Sequence, residues 1–285
     1  MVFAENTEIL IEEGAVMKSE ITLTSRELLF ISALLNATEF LGIPDAFFGM
    51  EESEMQQELL DLQSTLERKG YAEMDFDGSF TLKDEIREMV NNCANCDAFI
   101  VVDKNKVGEM KIRELYYEKY GCIVKLSEDE ERYILTFVAD KGCLIEQIKG
   151  GVEFKHSGAS NLISVTITDE TLSDVKTTVG ESPSSDSIKL LMEQGCDELS
   201  AKTIIDGITG HSDYYSVIVT NLDGKNEGVY SVILISSEIG IYRLIPISNE
   251  EREEVQFNAL TSEEAMIILN DTIHHAFPSE SEVVE

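Results

Sequence analysis

The spacing of apolar residues changes period along this chain. In "LTSRELLFISALLNA" Leu28, Ile31, Leu34 and Leu35 fall on one helical face, and Thr24 with Glu27 has the spacing of a capping box at the start. "FLGIPDAFFGM" interrupts the helical pattern through Gly42 and Pro44. A second helix is predicted from near Ser53, with Met55, Leu59, Leu62 and Leu66 as one buried stripe and Gly70 just past its end. Residues 71–82 then alternate, and Asp77-Gly78 suits a two-residue type I′ turn, so a short hairpin is expected. "TLKDEIREMVNNC" restores the helical period, with Leu82, Ile86, Met89 and Val90 facing inward.

Beyond residue 97 the pattern becomes β-branched and aromatic. "DAFIVVD", "VGEMKIRELYYEK", "GCIVKL" and "ERYILTFVA" predict an antiparallel meander, punctuated at Lys104-Asn105, at Gly121 and by an acidic turn at 127–131. A helix at "KGCLIEQIKG" closes the meander, and "NLISVTIT" reads as a further strand. Residues 178–187, "TVGESPSSDS", have the composition of an exposed connector. After it come short helices in "SIKLLMEQG" and "DELSAKTIIDGI", and then four strands, "YYSVIVTNL", "GVYSVILISS", "GIYRLIPI" and "EVQFNAL". A last helix begins at Thr261 with Glu264 at capping-box spacing. The expected fold is α+β, with antiparallel sheets and flanking helices in two similar halves, 1–177 and 178–285; the first contains a winged-helix-like unit at 24–92.

A helix followed by a wing raises the question of DNA binding, and charge answers it. From Glu51 to Gly70 six acids (Glu51, Glu52, Glu54, Glu58, Asp61, Glu67) face Arg68 and Lys69, so the would-be recognition helix carries 2 − 6 = −4. Duplex affinity rests on Lys and Arg at phosphates, and the whole chain, with 22 basic and 55 acidic residues, stands at −33. No nucleic-acid partner is expected. "MVFAENTEILIEEGAV" lacks the basic and apolar regions of a secretory signal, and no run approaches the roughly 18 apolar residues of a membrane helix, so a cytoplasmic protein is expected. Five scattered cysteines, at 93, 96, 122, 143 and 196, suit reduced thiols in that compartment.

Candidate chemistry is sparse. Cys93 and Cys96 form one C-x-x-C, but a structural zinc site wants four ligands, and a redox pair should open a helix rather than follow one. His274 and His275 point about 100° apart on the last helix and read as cations near its negative end. His156 and His211 fall in loops. No phosphate-binding glycine loop, G-x-S-x-G or H-E-x-x-H is present, so the expectation is a binding protein with no enzymatic activity, no cofactor and no metal. Phe40, Leu41, Ile43, Phe47, Phe48 and Met50 crowd the first connector, either as a plug between two helices or as part of a partner surface.

The first ninety residues resemble the opening of the EspG family, the cytosolic chaperones of type VII secretion. The matching positions are Leu23, Thr24, Glu27 and Leu28, then Ile43 and Pro44, Gly49, and Leu66, Lys69 and Gly70. The resemblance implies a chaperone that grips the apolar tip of a helical secretion substrate and keeps it soluble for export. The acidity and the scarcity of Pro and Ala suggest a low-GC Gram-positive relative, whose clients are WXG- or LXG-type proteins. By that resemblance the contacts belong to a hairpin loop of the central sheet, "DKNKVGEM" with Val107 and Met110, and to the short helices near Leu190, Leu191 and Ile204. The Phe47 and Phe48 connector completes the candidate surface. The alternative is an acidic, winged-helix-like regulatory or interaction protein without DNA contact.

Overall fold

The computed structural model describes residues 20–37, 40–130, 132–155, 161–178, 185–222, 227–248 and 253–277. The N-terminal nineteen residues, His156, most of the 178–187 connector and the C-terminal tail lie outside the described residues.

One order of elements occurs twice. A strand β1 (Glu20–Thr24) leads into helices α1 (Ser25–Leu34) and α2 (Glu52–Arg68), a small hairpin β2 (Ala72–Met74) and β3 (Phe80–Leu82), and helix α3 (Asp84–Ala94). The meander β4 (Ala98–Asn105), β5 (Ile112–Lys119), β6 (Cys122–Asp129), β7 (Arg132–Val138) and helix α4 (Lys141–Gly150) follow. The second run is β8 (Val165–Thr168), α5 (Asp169–Thr178), α6 (Ser185–Glu193) and α7 (Glu198–Ile208), then β9 (Asp213–Asn221), β10 (Gly228–Ser236), β11 (Ile241–Ser248), β12 (Glu253–Leu260) and α8 (Ser262–His274). Each run is a strand, helices, a four-strand meander and a closing helix.

Among the described residues, ten strands join in a single antiparallel sheet of order β1-β7-β6-β5-β4-β9-β10-β11-β12-β8. The halves meet at β4 and β9, which pair from Ala98 with Asn221 to Asn105 with Tyr214. Although β8 and α5 precede residue 178, β8 pairs with β12, and Leu172 and Val175 of α5 share a core with α6, α7 and the outer strands of the second half.

Alternation along the strands sends their side chains to opposite faces, and different helices cover each. Phe99, Leu115, Tyr117, Val124 and Leu135 lie under α1–α3, whereas Ile100, Val102, Tyr116, Val217 and Leu234 lie under α4 and α8. The helices α5–α7 cover Ile235, Tyr242 and Phe257 on the remaining part.

Several elements form as their sequences predict. Thr24 and Glu27 close a reciprocal capping box on α1, and Thr261 and Glu264 do so on α8. Leu62 and Leu66 of α2 and Ile86, Met89 and Val90 of α3 are buried, and α8 spans the "EEAMIILNDTIH" pattern.

Other expectations need correction. Leu34 is exposed because α1 ends there, and Phe30 packs in its place, with its ring 6.1 Å from that of Phe80. Leu82 belongs to β3, not to the helix after it. The hairpin turn is not type I′: only Gly78 has positive φ (85°), Gly78 N–H donates to the Asp75 carbonyl (2.9 Å), and Asp75 N–H donates to the Ser79 carbonyl (2.9 Å). Three residues therefore make the loop, a type I turn followed by a left-handed glycine. β6 runs on to Asp129, through residues expected to turn, and Ser185–Ser187 of the expected connector already belong to α6.

Candidate partner-binding surface

Residues 106–111 connect β4 to β5 at one end of the sheet centre. Glu109 N–H donates to the Lys106 carbonyl (3.0 Å) with Gly108 at φ 82°, the positive angle that the third position of a type II turn demands. The turn holds its own apolar side chains away from the protein. Met110 is 86% exposed, Val107 48% and Ile112 47%.

The base of this hairpin is pinned by polar groups, of which Asp213 is buried. Asp213, the first residue of β9, is buried and accepts from Val107 N–H (2.9 Å) and from Lys155 Nζ (3.1 Å). Lys106 pairs with Glu153 (3.0 Å), whose carbonyl accepts from Tyr215 Oη (3.0 Å), and Phe154 meets the Tyr215 ring edge-on. Behind the turn these residues line a pocket of about 280 Å³.

One strand layer further in, Glu114 accepts from Lys104 Nζ (2.8 Å) and from Lys125 Nζ. Burial acts to raise the Glu114 pKa, but the hydrogen bonds and charges of the two lysines outweigh it and hold the carboxyl below its ordinary value. On the opposite face Asp103 takes both Arg113 Nε (2.9 Å) and Nη2 (3.1 Å), with Lys111 Nζ at 3.8 Å. Ordering of such a loop is one of the entropic costs of using it in binding, and here folding has already met much of that cost.

The connector of the first helices adjoins the hairpin base. Gly42, at φ 80°, lies so close to the sheet that a Cβ there would come 2.8 Å from Leu115 and 3.0 Å from Phe99. Tyr117 Oη donates to the Leu41 carbonyl (2.7 Å). Gly42 and Pro44 line both a small pocket that reaches Arg113 and Leu115 and a groove of about 660 Å³ shared with Leu29, Phe40, Ile43 and Phe47. Phe47 is half-buried along this groove, and Phe48 beside it is 88% exposed.

The helical part of the anticipated surface is different. Leu191 and Ile204 are fully buried in the core of the second half, and Leu190 is half-buried against it, so Leu191 and Ile204 offer no area to a partner. The apolar side chains that α6 and α7 do expose are Met192 and Leu199. Ile112 also escaped the sequence reading, although it stands two residues from Met110, the spacing that puts side chains on one face of a strand.

Burial pushes the Cys93 thiol well above its ordinary pKa and Cys96 to about 12. Among the described residues no three His, Cys, Asp or Glu are grouped to hold a metal, and no helix is long and apolar enough to cross a membrane. His274 stands at the end of α8, where burial and then Lys141 lower its pKa, against the helix-end cation expected. The ring of His275 stacks on Tyr230 at 3.7 Å. His211 lies exposed in the turn after α7, 2.9 Å from Thr209 Oγ1.

No protein-family model matches the chain, and no curated protein matches it. Its structure is similar to that of the Mycobacterium tuberculosis type VII secretion system chaperone EspG5, determined in complex with a PE25-PPE41 dimer. The TM-score is 0.59 with 12% sequence identity, covering 91% of this chain and 97% of that chain. At that identity the likeness is one of architecture, and the chain has an EspG-like α+β fold with a ten-stranded antiparallel sheet flanked by helices.

Proposed function

We propose that this protein is a cytoplasmic, non-enzymatic chaperone that covers the apolar tip of a helical type VII secretion substrate of the WXG or LXG type and keeps it soluble for export. The observation that carries the reading is the β4–β5 hairpin. Val107, Met110 and Ile112 are presented to solvent on a base fixed by Asp213, Glu153 and Glu114. Exposed apolar side chains on a rigid support are suited to a partner with a matching apolar end. The groove with Phe47 and the exposed Phe48 extends the contact on the neighbouring side. A protein of the same architecture bound to the PE25-PPE41 dimer supports the class of client, and the acidic surface supports the absence of nucleic acid from the list of partners.

Co-expression with a small helical WXG- or LXG-type substrate tests the proposal. A soluble complex is expected on size exclusion, and Val107→Asp with Met110→Asp is expected to release the client, because a carboxylate at an apolar contact loses hydration without gaining a partner. Retention of the client by a folded double variant would remove the hairpin from the contact. Failure to recover any such substrate with the wild-type chain would favour the acidic regulatory reading, for which the α2–β2–β3 unit is the supporting feature.

A further inference from the structure

Among the described residues the most exposed large apolar side chain stands at the tip of the β2–β3 wing. Phe76 there is fully exposed, and Met74 beside it is 40% exposed. At that exposure the Phe76 ring buries no area against its own protein and contributes nothing to folding. The loop that presents it is nevertheless held on both sides. Besides the two main-chain bonds of the turn, Ser79 N–H donates to Asp77 Oδ1 (3.0 Å) and Ser79 Oγ donates to Asp75 Oδ2 (3.1 Å). Below the tip Phe80 meets Phe30 of α1, and Lys83 N–H donates to the Tyr71 carbonyl (3.0 Å) to close the hairpin. An aromatic ring is thus offered outward on a support that is ordered before any partner arrives.

Charge decides what kind of surface suits this ring. Residues 71–82 contain Glu73, Asp75 and Asp77 and no Lys, Arg or His. Over the wing and its roots, 67–88, seven acids stand against four cations, and all four cations are at the roots. There Lys69 is held by Glu27 and Arg87 by Asp84, Arg68 Nη2 reaches Thr65 Oγ1, and Lys83 lies over Gly70. The Ser79 N–H lowers the Asp77 pKa, so this carboxylate is charged at neutral pH. Nucleic acid and anionic membrane are repelled by such a tip and by the chain's −33, whereas Lys and Arg around an apolar patch are attracted by both.

We propose that the wing is a second docking element, separate from the β4–β5 hairpin, and that it inserts Phe76 into an apolar seam bordered by Lys or Arg on a partner protein. Phe76 is the anchor, and Glu73, Asp75 and Asp77 steer the approach and pair with the border. The contact stands apart from the chaperone reading, which concerns the other hairpin.

The probes are two fluorescent amphipathic helical peptides with the same Leu face, bordered by Lys in one and by Glu in the other. Binding to the full chain is read by anisotropy, and only the part that Phe76→Ser removes is counted, which sets aside the general attraction of a cationic peptide to an acidic protein. Phe76→Ser should melt with the wild type, since the ring it removes is fully exposed. The Lys-bordered peptide is expected to bind the wild type about 10-fold more tightly than Phe76→Ser. Glu73→Gln with Asp77→Asn, which keeps an acceptor for Ser79 N–H, should weaken it about 3-fold at low salt and hardly at all at high salt. Met110→Asp should leave this binding unchanged. Equal binding by the wild type and Phe76→Ser would overturn the anchor, and equal Phe76-dependent binding of the Glu-bordered peptide would overturn the choice of a basic partner. Loss of the same binding in a folded Met110→Asp variant would show one surface in place of two.

Discussion

Lys69, the residue capping α2, reaches across to α1 and places its Nζ 2.7 Å from Oε2 of Glu27. The same oxygen accepts from Thr24 N–H at 2.8 Å, so one buried carboxylate caps α1 and ties α2 to it. Lys69→Met leaves Glu27 buried with half its partners. We expect a loss of about 3 kcal/mol in urea unfolding, at the low end for a broken buried pair because Lys69 is itself a third exposed. Glu27→Gln combined with Lys69→Met should recover part of the loss, since glutamine still closes the capping box. A double variant as unstable as Lys69→Met alone would show that charge burial is not the cause.

Glu114 gives the acid limb of stability a defined contribution. Its folded pKa lies below its ordinary value of 4.5, so its contribution is fully present above that value and is lost as pH falls through the lowered one. Glu114→Gln leaves the buried Lys104 without a counter-charge. The variant should be less stable than the wild type by about 2–4 kcal/mol at pH 7, with the gap narrowing below pH 4.5. Chemical denaturation at several pH values measures this, and a gap constant with pH would refute the coupling.

The β5–β6 turn contains a residue poorly suited to its backbone. Lys119 pairs with Cys122, so Tyr120 and Gly121 form a two-residue turn in which both φ angles are positive, 51° and 83°. A tyrosine in that region is strained, whereas asparagine tolerates it. Tyr120→Asn should stabilise the protein by about 0.5–1 kcal/mol, even though the Lys119 contact with the ring at 5.6 Å is lost. An unchanged or lower melting temperature would mean that the ring contributes more than its exposure suggests.

α7 lies close against β10 at Gly207, where a Cβ would come 2.4 Å from Ile235 Cδ1. Gly207→Ala should cost about 1–3 kcal/mol through overpacking. Ile235→Val, which deletes that methyl, should return part of it in the double variant. Additive losses in the two substitutions would count against the clash.

What the sequence made visible follows from where the determining forces are local. The capping boxes at Thr24 and Thr261 and the alternation of β4 to β7 involve residues near one another in the chain; the boxes form where their pattern lies, whereas β4 runs through the break expected at Lys104-Asn105 and β5 starts at Ile112, not at Val107. β1 was missed because Ile21 and Leu23 give only two alternations before the helix begins, and its pairing with β7 is more than a hundred residues away. α5 is hidden in the sequence although Thr168 caps it by accepting from Thr171 N–H (3.2 Å) with Asp169 and Glu170 in the first turn, because its flanks read as one strand and one connector. At the candidate surface, Val107 and Met110 are pointed to by the EspG resemblance; their own pattern reads as the start of a strand, and the structure places both in the turn before β5. The bond from Asp213 to Val107 spans 106 positions, and no periodicity reports it. Leu190 and Leu191 look alike in sequence, and only the packing of α6 against α5 and α7 separates the half-buried one from the fully buried one.

The outer margin of β1 is closed by side chains. Thr22 N–H donates to Tyr71 Oη at 3.3 Å, and Lys69 Nζ lies 3.4 Å from the Thr22 carbonyl. Both main-chain groups of Thr22 that point away from β7 are thus occupied by the turn that links α2 to the wing. An exposed sheet edge is a template on which further chains can polymerise, and a lysine and a tyrosine placed across it act as a stop. Such a stop at Thr22 suits the handling of aggregation-prone clients that the proposed function assigns to the chain.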